Sequence, residues 1–127
     1  MMVAGVGFRR SVATQEIVTL VEQALVRAGL DHGALHRLAT AASLADLPAF
    51  REAARRLAVE AAAIDGETLR LTAPAVRTRS ERSLAAYGVG SVAEAAALGG
   101  AGPKATLVLE RIASANATCA LASVSRP

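Results

Sequence analysis

Two short runs carry the residues best suited to holding an anion: Gly5-Val6-Gly7-Phe8-Arg9-Arg10 near the start and Gly88-Val89-Gly90-Ser91-Val92-Ala93-Glu94 in the second half. Each is a glycine-rich segment leading into a helix, where unpaired backbone N–H groups and the helix dipole both favour negative charge. In the first run Arg9 and Arg10 add guanidinium forks, which suit carboxylates and phosphates better than an ammonium does. It has two glycines where a dinucleotide fingerprint has three, with Arg10 at the third place, and no acidic residue at the end of the next strand is placed to hold a ribose. A nucleotide cofactor is therefore not expected, and a tight turn with two solvated arginines is the plainer alternative to an anion site. In the second run Ser91 and Glu94 have capping-box spacing, in which hydroxyl and carboxylate each satisfy an orphan N–H. The amides of Gly90 and Ser91 remain available to a ligand. Lys104 follows Gly102-Pro103 and projects near the start of a strand. Arg77, Arg79 and Arg82 fall in and after an irregular loop, either as a mobile basic surface or as partners of ligand carboxylates.

The inventory for catalysis is thin. Ser11, Ser43, Ser83 and Ser91 lack an evident His–Asp partnership, and the pattern G-x-S-x-G is absent. His32 and His36 have helical spacing, but Gly33 and the strand-like run after it argue against a shared face, and no Cys or carboxylate nearby completes a metal site. Glu94, Glu110 and the two histidines are the general bases that can be named, none with a supporting partner. No catalytic residue, metal site or cofactor is expected from this pattern.

Periodicity and turn residues divide the chain into strands and helices around these runs. Met1 to Val6 is an apolar strand running into a glycine turn. From Thr14, a candidate N-cap, the residues Ile17, Leu20, Val21, Ala24, Leu25 and Ala28 recur at helical spacing up to Gly29. Leu35 to Thr40 is a second strand. Asp46 caps a helix presenting Leu47, Phe50, Ala53, Ala54 and Leu57, with Pro48 in its first turn, and Val59 to Ile64 is a third strand. Asp65 to Arg79 is less periodic, with a short helix over Glu67 to Leu71. Ser80 to Tyr87 and Ser91 to Leu98 are helices, and Thr106 to Leu109 and Thr118 to Val124 are strands joined through Ser114-Ala115-Asn116 as an edge hairpin. Alternating strands and helices give parallel crossovers with helices covering the faces. The expected fold is a three-layer α/β/α sandwich, with a mainly parallel, mixed sheet of about five strands.

At 127 residues the chain fits one domain, 1–127, able to bury roughly two thirds of its unfolded surface. It is 53% apolar and only 2% aromatic, so Ala, Leu and Val must fill the core through close helix-on-sheet packing. The net charge of +3 comes from 14 Lys+Arg against 11 Asp+Glu, and every cation but Lys104 is Arg, which points to an anionic partner. Nucleic acid is not expected, because the arginines are interspersed with acids and only Phe8, Phe50 and Tyr87 could stack on bases. The single Cys119 excludes an intrachain disulfide and fits a reducing cytoplasm. The N-terminal run lacks the order of a signal peptide, and no apolar run approaches the roughly twenty residues that span a bilayer, so no membrane partner is expected.

Taken together, G-V-G-F-R-R-S-V-A-T-Q-E-I, L-A-T, G-V-G-S-V-A-E-A-A-A-L, P-K-A-T-L-V-L and A-T-C-A-L-A resemble the family shared by CobE and the C-terminal domain of CbiG, proteins of cobalamin (vitamin B12) biosynthesis. The resemblance spans nearly the whole chain. It implies a three-layer α/β/α domain associated with corrin or precorrin intermediates. Because CbiG, the hydrolase that opens a precorrin lactone, carries additional N-terminal sequence, the chain is similar to the stand-alone members of the aerobic pathway. For these a binding or carrier role fits better than a defined reaction. Gly5, Gly7, Arg9 and Arg10 match the first motif, with Ser11 where a glycine is common. Gly90, Ser91 and Glu94 match the second, and Lys104 matches the basic residue before the late strand. The resemblance implies that Arg9, Arg10 and Lys104 neutralise corrin carboxylates while Phe8 and alanines contact the ring. A precorrin hydrolase or isomerase, and a module docking on another pathway enzyme, are the alternatives.

Overall fold

The computed structural model describes residues 1–124. Its elements are β1 (Met2–Phe8), α1 (Thr14–Arg27), β2 (Leu35–Ala41), α2 (Pro48–Arg56), β3 (Glu60–Ile64), α3 (Gly66–Leu71), α4 (Glu81–Tyr87), α5 (Val92–Ala101), β4 (Ala105–Ala113) and β5 (Ala117–Val124). The five strands form one sheet in the order β3-β2-β1-β5-β4. β1 pairs in parallel with β2, and β2 with β3, whereas β5 runs antiparallel to both β1 and β4. The sheet is thus mixed, with its pairings evenly divided, and the late hairpin inserts β5 beside the central β1, leaving β4 at the edge.

The two crossovers β1-α1-β2 and β2-α2-β3 step the same way across the sheet, and a constant crossover hand then puts both helices on one face. Ala4, Val6, Leu38, Cys119 and Leu121 pack there against Ile17, Val21 and Leu25 of α1 and Phe50 and Ala53 of α2. Phe50, 1% exposed, contributes about 1.5–3 kcal/mol through burial alone. The opposite face, where Val3 and Ala39 point, is covered by α5, with Ile64 and Leu69 beside it. This helix is buried almost all round. Its alanines allow it to lie unusually close to the sheet: a Cβ on Gly5 would sit 2.0 Å from the Ala93 carbonyl oxygen and 2.4 Å from the Ala97 nitrogen. Layer by layer this is the expected α/β/α sandwich.

Helix ends show where local signals hold and where they slip. α1 ends as expected at Gly29 (φ 72°), with the Leu30 N–H donating to the Leu25 carbonyl and the Gly29 N–H to that of Val26. Its start is one residue earlier than a Thr14 cap requires: Ala13 is the N-cap, without a side-chain hydrogen bond. Likewise Leu47, not Asp46, is the N-cap of α2, and the Asp46 carboxylate instead takes a hydrogen bond from Arg51 at 3.0 Å. Pro48 at the first helical position has no N–H to cap, which removes part of the need for an acidic cap. β4 is longer than the expected Thr106–Leu109. Leu107 pairs with Ala122, Leu109 with Leu121 and Ile112 with Cys119, so β4 carries an extra residue relative to β5 at two places.

Candidate functional site

The carboxyl end of β1 opens into a cleft of about 360 Å³. This is where ligands of open α/β sheets collect, because loops diverge there and helix N-termini converge. The strand supplies Gly7 and Phe8, with Arg9 directly after it; the β4–β5 hairpin supplies Arg111, Ser114, Asn116 and Thr118. α4 and its N-cap add Ser80, Arg82, Ser83 and Tyr87, and the start of α5 adds Ser91 and Val92. Leu44, Phe8 and Val92 give an apolar floor, and the Phe8 ring lies nearly parallel to that of Phe50, centroids 6.1 Å apart. Three arginines and no carboxylate line the cleft. None of these three takes part in an ion pair among the described residues, whereas Arg37, Arg51, Arg55, Arg56 and Arg79 do.

Two carboxylates outside the cleft hold its walls. Glu16, in the first turn of α1, accepts hydrogen bonds from the Ser114 hydroxyl, from the Asn116 N–H at 2.7 Å and from Asn116 Nδ2 at 3.1 Å. These bonds, that of Ser114 foremost, lower its pKa from the ordinary carboxylate value. Glu94 is fully buried and accepts from the Arg77 N–H (2.7 Å), the Thr78 N–H (2.9 Å), the Thr78 hydroxyl (2.5 Å) and the Arg111 N–H (2.9 Å). Burial opposes its ionisation, yet the donors from Thr78, Arg111 and Arg77 together outweigh that and hold its pKa below the usual value.

The expected site residues separate into two groups. Gly7, Phe8, Arg9 and Ser91 line the cleft. Arg10 is the next residue, exposed in the turn after β1 and outside the lining. Gly5 and Gly7 are inside β1, not in a loop after it: Gly5 admits α5, and a Cβ on Gly7 would lie 2.9 Å from Thr118 Oγ1. Ser91 does cap α5, accepting the Glu94 N–H at 3.1 Å. The reciprocal half of the expected box is absent, because the Glu94 carboxylate is engaged by the strap at 77–78 and by β4. Gly90 makes room for that strap, since a Cβ there would sit 2.3 Å from the Thr78 carbonyl oxygen, and its own carbonyl accepts the Ser80 N–H at 2.8 Å. Lys104 is at the far end of the sheet: it precedes Ala105, which pairs with Val124, while Ser123 pairs with Met2. The six residues 105–110 of β4 separate it from Arg111 at the cleft, a distance on the order of 20 Å along the strand.

Arg111 in the lining and Glu16 behind it were not among the expected site residues, Ser114 and Asn116 were expected only as a turn, and Arg82 is the member of the three-arginine cluster that reaches the cleft. Arg79 pairs with Glu81 at 3.4 Å instead. His36 Nδ1 accepts the Met2 N–H at 3.1 Å and His32 lies 3.4 Å from Glu22, both at the end of the sheet away from the cleft. Among the described residues no three His, Cys, Asp or Glu side chains come together as a metal site. None of the described helices is long and apolar enough to cross a membrane.

A family model described as Cobalamin synthesis G C-terminus matches residues 2–122. Protein CobE of a Sinorhizobium species is 41% identical over 121 residues, which cover 95% of this chain and 79% of that protein. The crystal structure of CobE, a protein from the cobalamin (vitamin B12) biosynthetic pathway, superposes with a TM-score of 0.92 at 29% identity, covering 98% of this chain and 91% of the other. That of cobalamin biosynthesis protein chiG from Agrobacterium tumefaciens str. C58 gives 0.79 at 36% identity, covering 99% and 100%.

Proposed function

The chain belongs to the Cobalamin synthesis G C-terminus family and is a cobalamin biosynthesis protein of the CobE type, and from that premise we propose that it binds or carries a corrin or precorrin intermediate in the cleft at the end of β1. The observation that carries this reading is the lining itself: Arg9, Arg82 and Arg111, with no carboxylate among them, around an apolar floor of Phe8, Leu44 and Val92. A corrin intermediate has the matching character, an apolar macrocycle with acetate and propionate side chains. Guanidinium–carboxylate pairs are the strong, oriented hydrogen bonds that such a ligand would use. The amino end of α5 at Ser91 adds favourable dipole for negative charge.

A binding role is better supported than a reaction. The cleft hydroxyls of Ser80, Ser83, Ser91 and Ser114 have no histidine beside them in the lining, the Glu16 carboxylate that takes the Ser114 hydroxyl is also held by Asn116, and Glu94 is occupied by four donors. The test is an anaerobic, absorbance-monitored titration with hydrogenobyrinic acid. Saturable binding without conversion of the pigment is expected. Arg9→Gln, Arg82→Gln and Arg111→Gln should each weaken it by about tenfold, the value of one lost charged hydrogen bond. Arg10→Gln, outside the lining, serves as the control. A triple variant that folds and keeps full affinity removes the cleft from the site; spectral conversion replaces the carrier reading with an enzyme.

A further inference from the structure

The cleft is small for its proposed ligand. Clefts of about 300–1,000 Å³ enclose most of a drug-sized molecule, and this one has about 360 Å³. A tetrapyrrole with its acid side chains is considerably larger than a drug-sized ligand, so only part of it can be enclosed. The three arginines come from three different elements, the end of β1, α4 and β4.

The lining also has a chemical bias. It contains no His, Cys or Met, the side chains that supply nitrogen or sulfur to a corrin-bound metal. Cys119 is wholly buried on the α1 face of the sheet, and the two histidines sit at the opposite end. What faces the opening is guanidinium, hydroxyl and amide, all of which pair with carboxylate oxygens.

Resting on the corrin reading, we infer that the protein grips one rim of the macrocycle through its peripheral carboxylates, gives the ring centre no axial ligand, and leaves the opposite rim exposed. Affinity then depends on the free carboxylates and not on what occupies the axial positions of a central metal. The exposed rim is the part that a receiving enzyme can take hold of while the pigment is still bound.

The experiment uses the intact protein and cobyrinic acid, a cobalt corrin with its side-chain carboxylates free, in aquacyano and dicyano forms, together with its fully methyl-esterified dicyano derivative. The two acid forms should bind with affinities within about threefold, and esterification should weaken binding by at least about tenfold. An aquacyano form that binds tenfold more tightly than the dicyano form, with a shifted visible spectrum, would demonstrate axial ligation and overturn the inference. An ester that binds as well as the acid overturns it too. Both outcomes leave the corrin reading standing, whereas failure of every corrin to bind sinks that reading and the inference with it.

Discussion

The Glu94 carboxylate accepts the Arg111 backbone N–H at 2.9 Å, joining the buried helix α5 to the edge strand where β4 carries its extra residue against β5. The bulge turns one N–H away from the ladder, and Glu94 receives it. Through the same carboxylate α5 holds Arg77 and Thr78, and so the strap leading to α4. Two walls of the cleft therefore depend on one side chain that never touches its interior.

Replacing Glu94 by Gln keeps the shape but turns an amide N–H₂ toward donors that need an acceptor. A buried donor left unsatisfied costs about 1–3 kcal/mol, so Glu94→Gln should lower stability by about 2 kcal/mol in urea or thermal unfolding. The pH dependence follows from the sign of the shift. Glu94 and Glu16 both have native pKa values below the ordinary one, so their contribution is complete above the unfolded carboxyl value near about 4.3 and is lost as pH falls through the native values. Wild-type melting temperature should be level above about pH 5 and fall in more acidic buffer, with a shallower acid limb in Glu94→Gln. An unchanged limb in the variant would place the acid sensitivity elsewhere.

Gly5→Ala tests the close approach of α5 to β1. The added Cβ would meet backbone atoms at 2.0 and 2.4 Å, and backbone in the middle of a buried helix cannot move aside as a flexible side chain can. Overpacking of this kind should cost about 3 kcal/mol, read as a lower midpoint with little change in denaturant slope. Gly29→Ala is a contrasting variant: its Cβ meets nothing within 4 Å, so its cost comes from the positive φ of 72° alone.

Much of the scaffold could be read locally, because its signals are local. The spacing from Ile17 to Ala28, the stop at Gly29 and the turn at Ser114-Ala115-Asn116 each depend on neighbours within a few residues. The functional arrangement does not. Gly5 looked like turn punctuation, and only the packing of residues 93–97 shows that it is a strand glycine under a helix. Glu94 matched a capping box by spacing, yet its partners are 16 and 17 residues away. Arg111 gained meaning only once the antiparallel pairing of β4 and β5 carried the end of β4 to Gly7. Lys104 was separated from Arg9 by that same pairing. The clues in the sequence to the cleft's electrostatics were Arg9 after its glycine-rich run, the cluster that includes Arg82, and the predominance of Arg over Lys.

Ala58 follows the last turn of α2 with φ 57°, the only non-glycine residue at positive φ among the described residues. Its N–H donates to the Arg55 carbonyl and that of Val59 to the Ala54 carbonyl, the same closing pattern that Gly29 and Leu30 make after α1. A left-handed Ala costs about 1–2 kcal/mol, partly offset by the smaller entropy of its unfolded chain. Ala58→Gly should therefore stabilise the protein by about 0.5–1 kcal/mol, raising the melting temperature by a few degrees. A lower melting temperature would mean that the Ala58 methyl makes compensating contacts.

The hairpin wall of the cleft is tied to α1 through Glu16. The Asn116 N–H and side-chain amide and the Ser114 hydroxyl all donate to Glu16, while the Asn116 carbonyl accepts the Arg9 N–H at 2.9 Å. Glu16 thus fixes the hairpin that in turn holds the backbone of a cleft arginine. Glu16→Ala should leave the fold intact, since α1 keeps its buried face of Ile17, Leu20, Val21, Ala24 and Leu25. Amide hydrogen exchange should nevertheless accelerate several-fold at Asn116, whose partner is gone, and much less at Ser114, whose N–H still donates to the Ala117 carbonyl at 2.9 Å. If the Asn116 amide stays protected, the hairpin is held by its own ladder and Glu16 is not its anchor. If Asn116 is released, ligand affinity should fall while melting temperature barely changes, because the loss is one of preorganisation in the wall.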